Sequence, residues 1–189
     1  MLAGTMLPVL VLAMLAAVDA PRVRIETSIG AIVVELDVKH APATTANFLR
    51  YVEAGLYTGG AFHRTVTMGN QPGNTVKIEV VQAGPRPGSG YLPAIALERT
   101  NATGVKHVDG TISMARAGVD TATGDFFICI GDQPGLDFGG ARNPDGQGFA
   151  AFGRVVEGMD AVRKIQRMPA EGQKLTPGVR IIKVSLVRN

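Results

Sequence analysis

Residues 124–130 read Gly-Asp-Phe-Phe-Ile-Cys-Ile, and this stretch is the best local guide to the fold. An apolar run that follows turn-forming residues predicts a short β-strand. Successive side chains of a strand point to opposite faces, so Phe126 and Phe127 should lie on different sides of the sheet. We expect one of them in the core and the other on an exposed groove. Cys129, the single cysteine, should be a small buried hydrophobe, and an internal disulfide is excluded.

Short strands are also predicted on both sides of this stretch. They cover 23–27, 32–36, 61–67, 76–82, 111–115, 149–156 and 180–187. The two strands at 61–67 and 76–82 should bring Arg64 and Gln82 toward each other. Residues 84–110 read as an irregular connection with a short segment near 95–97.

Two helices complete the predicted elements. Pro42 near the start, apolar residues at helical spacing and Gly55 at the end predict a helix over 41–55, and a second fits 159–166. Many short strands without regular strand-helix alternation favour a closed antiparallel sheet with helices at its ends. On pattern alone, a β-barrel and a β-sandwich both remain open.

Length and charge narrow the class of protein. The 189 residues suit one globular domain, and 46% hydrophobic residues allow a substantial core. The formal charge is +3, with basic residues dispersed along the chain. Nucleic-acid binding needs basic residues clustered on one face, so we predict no nucleic-acid partner.

The first twenty residues differ from the rest. Residues 1–18 carry no charged side chain and contain an apolar run at 9–18, a length typical of a signal peptide. Small or modest residues at 18–20 fit a cleavage site, so we predict a signal peptide over 1–20 and a periplasmic or otherwise exported domain over 21–189. An uncleaved membrane anchor, or a cytoplasmic protein whose start is assigned too far upstream, remains an alternative.

Several kinds of catalytic site are disfavoured. His40, His63 and His107 have none of the spacings of metal ligands, so no metal site is predicted. The sequence has no Gly-x-Ser-x-Gly turn, which argues against a serine hydrolase. The glycine-rich segment 131–148 lacks the Gly-Lys-Ser/Thr ending of a phosphate-binding loop and reads as a surface loop.

Four segments in order resemble cyclophilin-type peptidyl-prolyl cis-trans isomerases. They are Phe-His-Arg at 62–64, Val-Gln-Ala-Gly at 81–84, Gly-Asp-Phe-Phe-Ile at 124–128 and Phe-Ala-Ala-Phe-Gly-Arg-Val at 149–155. Each segment is weak by itself, but the ordered set is specific. The similarity extends over about residues 22–188.

The resemblance implies a mainly β fold, namely a closed eight-stranded antiparallel barrel capped by two α-helices, with a peptide groove on its outer surface. It implies that Arg64 and Gln82 are the catalytic pair, with Arg64 as the main catalytic group and Gln82 binding the substrate backbone. The residues expected to line the groove or its proline pocket are Phe127, Leu136, Ala115, Val80 and Phe149. The family needs no cofactor.

This chain departs from the family at several positions. Glu79 and Val80 stand where many members have an aromatic residue and methionine, and Phe149 replaces a groove histidine. Gly135 stands at a tryptophan that helps bind cyclosporin, so we expect weak affinity for that drug. The segment between Arg64 and Gln82 is longer than in eukaryotic members, and its extra residues near 68–77 should extend a hairpin beside the groove.

The resemblance implies a peptidyl-prolyl isomerase that acts on proline-containing polypeptides and assists their folding, as a monomer. The alternative is a binding module or chaperone that keeps the barrel and holds proline peptides without accelerating their isomerisation.

Overall fold

The computed structural model describes residues 20–187, which form one antiparallel sheet of nine strands and three α-helices. The strands are β1 Arg22–Thr27, β2 Ala31–Leu36, β3 Ala61–Val66, β4 Val80–Gly84, β5 Thr111–Met114, β6 Phe126–Cys129, β7 Ala150–Glu157, β8 Ala170–Glu171 and β9 Lys174–Leu186.

Eight of these strands close into a barrel. The order is β1-β2-β7-β5-β6-β4-β3-β9, and β9 pairs with β1 to complete the circle. The two-residue strand β8 pairs only with the start of β9. Closure leaves no free edge on the main sheet, which removes the usual template for edge-to-edge association. The predicted closed eight-stranded antiparallel barrel is confirmed.

Three helices accompany the barrel where two were predicted. Helix α1 spans Pro42–Glu53 and α3 spans Met159–Gln166, in agreement with the sequence. The additional helix, α2, is the single turn Thr100–Thr103. Four residues are too few to show a helical repeat of apolar positions, which explains why the sequence did not indicate it. Among residues 20–187, no helix has the length and apolar content that crossing a membrane requires.

The main core fills the barrel interior and is rich in aromatic rings. Phe48 of α1 is fully buried, with ring centroids 5.3 Å from Tyr57, 5.5 Å from Phe126 and 5.3 Å from Phe152. The Tyr57 hydroxyl donates a hydrogen bond of 2.7 Å to the Gly124 carbonyl, so its one polar atom is satisfied inside the core. These contacts fix α1 on the barrel.

A second, smaller apolar cluster lies on the other face of the sheet. It contains Val66, Ile78, Val80, Phe127, Cys129 and Leu136, with Ala115 and Phe149 packed against it. Phe126 belongs to the main core and its neighbour Phe127 to this cluster, as strand alternation predicted. Cys129 is buried there, and burial raises the pKa of its thiol.

The connection between β3 and β4 differs from the prediction. Residues 67–79 form an irregular loop rather than an extended hairpin, and β4 begins at Val80 rather than at 76. The buried Gln71 takes the place of strand pairing: its Nε2 donates to the Thr67 and Ile78 carbonyls at 2.6 and 2.8 Å, and its Oε1 accepts from the Ile78 amide at 3.2 Å. The predicted hairpin extension is therefore wrong.

Replacing Phe48 by alanine should lower the free energy of unfolding by about 3–5 kcal/mol, because it leaves a cavity among three aromatic rings. Urea denaturation followed by circular dichroism measures the change. Ile182→Ala is the matched control, since Ile182 is 52% exposed and its loss should cost less than about 0.5 kcal/mol. Equal costs for the two variants would show that α1 is not anchored through this ring.

Candidate active site

A β-bulge on β3 turns Arg64 to the outer face of the barrel. Phe62 pairs with Ala83, and Arg64 pairs with Gln82, so two steps on β3 oppose one step on β4. Phe62 and Ala83 are both fully buried in the main core. In a regular strand Arg64 would share the inward face of Phe62, because residues two apart on a strand point the same way, but the bulge at His63 shifts the alternation by one residue. The bulge therefore places Arg64 and Gln82 side by side on the outside.

The guanidinium of Arg64 is held at three of its nitrogen atoms. Nη1 donates to Gln82 Oε1 at 2.8 Å, while Nε and Nη2 donate to Gln173 Oε1 at 2.9 and 2.6 Å. Gln173 is itself fixed, since its Nε2 donates to the Asn70 carbonyl at 3.0 Å. Burial lowers the pKa of Arg64, and the nearby Arg142 guanidinium lowers it further, but an arginine remains protonated in proteins.

The side-chain amide of Gln82 has one defined orientation. Its oxygen accepts from Arg64, and its Nε2 donates to Asp125 Oδ2 at 3.2 Å. The other carboxylate oxygen of Asp125 accepts from the Tyr91 hydroxyl, also at 3.2 Å. The chain Arg64–Gln82–Asp125 leaves the second N–H of Gln82 free to meet a ligand.

Apolar side chains form the floor beside this polar chain. Phe127 packs edge-to-face on Phe149, with 5.4 Å between ring centroids, and Leu136 and Val80 are buried next to them. Phe127 also stacks on the His107 ring, with 6.0 Å between ring centroids. The floor is thus apolar and packed from below, which suits a small apolar ring.

A buried hydrogen-bond network holds His107 in place under Phe127. Its Nδ1 lies 2.8 Å from Asp137 Oδ1 and its Nε2 lies 2.9 Å from Ser113 Oγ. Burial by itself raises the pKa of Asp137, but the hydrogen bonds and charge of its partners outweigh burial and leave that pKa below its ordinary value. The histidine therefore serves as a support for the floor.

All seven residues proposed from the sequence line one pocket of about 460 Å³. They are Arg64, Gln82, Phe127, Leu136, Ala115, Val80 and Phe149. The pocket joins a fixed cation and an amide on one side to an apolar floor on the other. It can hold a pyrrolidine-sized ring while polar donors reach the adjoining amide.

Sequence reasoning missed several polar residues of the site, and Asp125, Tyr91, Arg142 and Gln173 matter most for its hydrogen bonds. Asp125 lies inside the segment 124–128, which was already used to identify the family, so the sequence could have indicated it as a site residue. Tyr91, Arg142 and Gln173 lie in irregular segments or turns, where no periodicity indicates which side chain faces the pocket. Gln173 reaches Arg64 only because β9 pairs with β3 beside it.

The comparison with known families agrees with this geometry. Residues 22–186 match the family described as Cyclophilin type peptidyl-prolyl cis-trans isomerase/CLD. The chain is a cyclophilin. The match covers both strands of the Arg64 pair, the apolar floor and the barrel closure through β9.

Similar proteins occur in bacteria and in eukaryotes. This cyclophilin is 35% identical over 164 residues to peptidyl-prolyl cis-trans isomerase A of Dickeya dadantii, covering 82% of this chain and 76% of that protein. It is 37% identical over 145 residues to peptidyl-prolyl cis-trans isomerase cyp18 of Streptomyces antibioticus, covering 76% of this chain and 82% of that protein. The crystal structure of a Cryptosporidium parvum cyclophilin shares the fold, with a TM-score of 0.73 at 22% identity over 90% of this chain and 99% of that one.

The loop 67–79 occupies the space beside Gly135, where many cyclophilins have a tryptophan. A Cβ atom on Gly135 would lie 2.6 Å from Val76 Cγ1, a distance too short for two carbon atoms. Ile78 of the same loop belongs to the outer apolar cluster. The loop therefore packs against Gly135 and contributes Ile78 to the wall of the pocket.

Adding one methyl group at Gly135 should displace the loop. Gly135→Ala is expected to cost about 1–3 kcal/mol of unfolding free energy, because Val76 is β-branched and cannot rotate both methyl groups away. Combining it with Val76→Ala should cost less than the sum of the single changes. Urea denaturation of the two single variants and the double variant gives this coupling.

Gly69→Ala is the matched control in the same loop, since a Cβ there meets no atom within 4 Å. Its effect should stay within about 0.5 kcal/mol. Strictly additive costs of Gly135→Ala and Val76→Ala would contradict the close packing of Val76 on Gly135.

Proposed function

We propose that this cyclophilin accelerates rotation about Xaa-Pro peptide bonds of polypeptides and so assists their folding. The observation that carries the proposal is the Arg64 guanidinium, clamped by Gln82 and Gln173 and facing the same pocket as Phe127 and Leu136. The family to which the chain belongs and the names of its relatives agree with this activity. A related cyclophilin crystallised in the presence of the dipeptide Ala-Pro supports proline peptides as the substrate class.

The reaction needs no covalent chemistry. Resonance makes the peptide bond resist rotation by roughly 18–20 kcal/mol. The cis and trans forms of an Xaa-Pro bond differ by only about 1 kcal/mol, so the equilibrium is already balanced and only the barrier slows exchange. A catalyst must therefore bind the twisted amide more tightly than either planar form.

Arg64 can supply this preference. When the amide twists, the prolyl nitrogen regains a lone pair and becomes a hydrogen-bond acceptor. Nη1 and Nη2 of Arg64 each make one hydrogen bond to a glutamine, so each keeps a second N–H that can point at the substrate. A donor fixed in advance and partly shielded from water stabilises the twisted state without reorganising.

Gln82 and the apolar floor position the substrate for this interaction. The unused N–H of Gln82 can donate to a backbone carbonyl of the peptide, which fixes one side of the rotating bond. Phe127, Phe149 and Leu136 can hold the proline ring on the other side. Rotation is then confined to the single bond between the two anchored groups.

Arg64→Ala should reduce kcat/KM for a proline tetrapeptide by roughly 10²–10³-fold, the usual cost of removing one preorganised donor. Exchange spectroscopy by NMR measures the cis-trans rate without a coupled protease. Arg154→Ala is the matched control, because it removes the same charge on β7, across the barrel from β3, and should leave the rate unchanged.

The same experiment separates the two functions that the sequence left open. A binding module would shift the peptide resonances on titration but leave the exchange rate at its uncatalysed value, with or without Arg64. Loss of accelerated exchange in Arg64→Ala with retained peptide binding would support catalysis. A wild-type chain that binds peptide without acceleration would overturn it in favour of the binding module.

We also propose that the domain is exported and works as a monomeric folding catalyst. Of the predicted signal peptide, all residues except Ala20 lie outside the described part of the chain, so this proposal rests on the sequence alone. Expressed from its full gene in a Gram-negative host, the protein should be released by osmotic shock and begin at Pro21. A chain that starts at 21 after an added methionine is the control and should stay in the cytoplasm. A periplasm without the protein, or an intact Met1 in the membrane fraction, would contradict export by cleavage.

A further inference from the structure

Arg142 adds a second guanidinium to the proline pocket. It comes from the connection between β6 and β7 and lines the pocket together with Arg64. Its Nη1 donates to Gln71 Oε1 and to the Val76 carbonyl, both at 2.9 Å. Two loops are thus joined through one nitrogen of Arg142, and the guanidinium is held at the pocket by neutral groups.

Neither Arg64 nor Arg142 has an acidic partner among residues 20–187. The hydrogen-bond acceptors of both are amide or carbonyl oxygens. The third arginine of the pocket, Arg116, differs, because its guanidinium forms an ion pair of 2.7 Å with Asp145. The pocket therefore contains two cations that no carboxylate of the described chain neutralises.

Among residues 20–187, Asp125 is the one carboxylate that lines the pocket, and it is already engaged in hydrogen bonds. Its oxygens accept from the Gln82 amide and the Tyr91 hydroxyl, and the ring of His63 lies 3.7 Å away. It is therefore held on the side of Gln82 and Tyr91, rather than against Arg64 or Arg142.

Two partly buried cations that face one cavity favour an anionic ligand. Burial lowers the pKa of both guanidinium groups, and the nearby charge of Arg142 lowers the pKa of Arg64 further. In the described chain, Nε and Nη2 of Arg142 make no hydrogen bond, so donors remain for a carboxylate. Arginine presents such donors in a fork that matches carboxylate geometry.

We propose that Arg142 makes this pocket select prolines flanked by an aspartate or glutamate within one residue of the ring. The inference rests on the proposed isomerase function and names the substrate class of that site. Arg64 would act on the twisted amide, and Arg142 would pair with the acidic side chain beside it. The geometry of the pocket is compatible with an acidic residue directly before or directly after the proline. The experiment below distinguishes these two positions.

The test uses matched peptides that differ in one neutralised charge. Two pairs suffice: acetyl-Ala-Ala-Xaa-Pro-Ala-Ala-amide and acetyl-Ala-Ala-Ala-Pro-Xaa-Ala-amide, with glutamate or glutamine as Xaa. We expect the wild type to show a kcat/KM about fivefold higher for glutamate than for glutamine in one pair, the size of a partly exposed ion pair. This preference should decrease as the salt concentration rises, because salt screens it.

Arg142→Gln should bring the glutamate-to-glutamine ratio close to one, and Arg142→Lys should retain part of the preference because the charge remains. Arg154→Gln is the control of equal charge loss and should keep the full ratio. A wild-type ratio of one in both pairs, or a ratio that survives Arg142→Gln, would overturn the inference. If Arg142→Gln merely loosened the loops, it would lower the isomerisation rate of both peptides equally and leave the glutamate-to-glutamine ratio unchanged. That result would also contradict the inference.

Peptide affinities keep this test separate from the test of catalysis. Chemical-shift titration gives Kd for the same four peptides whether or not exchange is accelerated. No acceleration with any peptide would refute the isomerase proposal, while a glutamate preference in Kd that Arg142→Gln abolishes would still support the acidic selectivity. Equal Kd values for glutamate and glutamine peptides, together with equal rates, would refute the selectivity and leave the isomerase proposal untouched.

Discussion

The extra residue at His63 is the constraint on which the site depends. A regular β3 would point Phe62 and Arg64 to the same side, and a charged guanidinium inside the barrel would lose its hydration among the aromatic rings of the core. The bulge keeps Phe62 inside and moves Arg64 outside, directly opposite Gln82. The one extra residue therefore keeps the charged guanidinium out of the core and places Arg64 beside Gln82. The pairing of β3 with β9 is also irregular between Phe62 and Arg64, and it places Lys174 opposite Arg64, so that the preceding Gln173 comes within reach of the guanidinium.

The barrel wall is a single layer with an apolar cluster on each side, and β6 links the two. Phe126 contributes to the interior and Phe127 to the pocket floor, so the stability of the fold and the rigidity of the pocket share one strand. Edge-to-face contacts hold both rings: Phe126 against Phe48, and Phe127 against Phe149. A floor supported in this way cannot move without disturbing the core, which is why the pocket can remain preformed in the absence of substrate.

The regular alternation of side chains along strands made much of this structure predictable from the sequence. The predictions failed where the backbone is irregular. The opposite faces of Phe126 and Phe127 followed from the period of a strand, and Pro42 and Gly55 marked α1 well. The β-branched residues before Val80 suggested an early start of β4, but the side chain of Gln71 takes the hydrogen bonds that strand pairing would have used. Arg142 as a pocket residue and Gln173 as a partner of Arg64 could not be predicted, because their directions depend on long-range contacts of loops and turns.

The departure from the family at Gly135 and the charge of the pocket have one physical origin. A large side chain at 135 would exclude Val76, since even a single carbon there would lie 2.6 Å from its Cγ1. The small residue admits the loop 67–79, and that loop presents the Val76 carbonyl and Gln71 Oε1 to Arg142. In place of a large side chain at position 135, this part of the pocket has the loop 67–79, which holds the guanidinium of Arg142. Because those acceptors are neutral, the arginine keeps its full charge toward the pocket, and the substitution that removes an aromatic contact also changes which flanking residue the pocket favours.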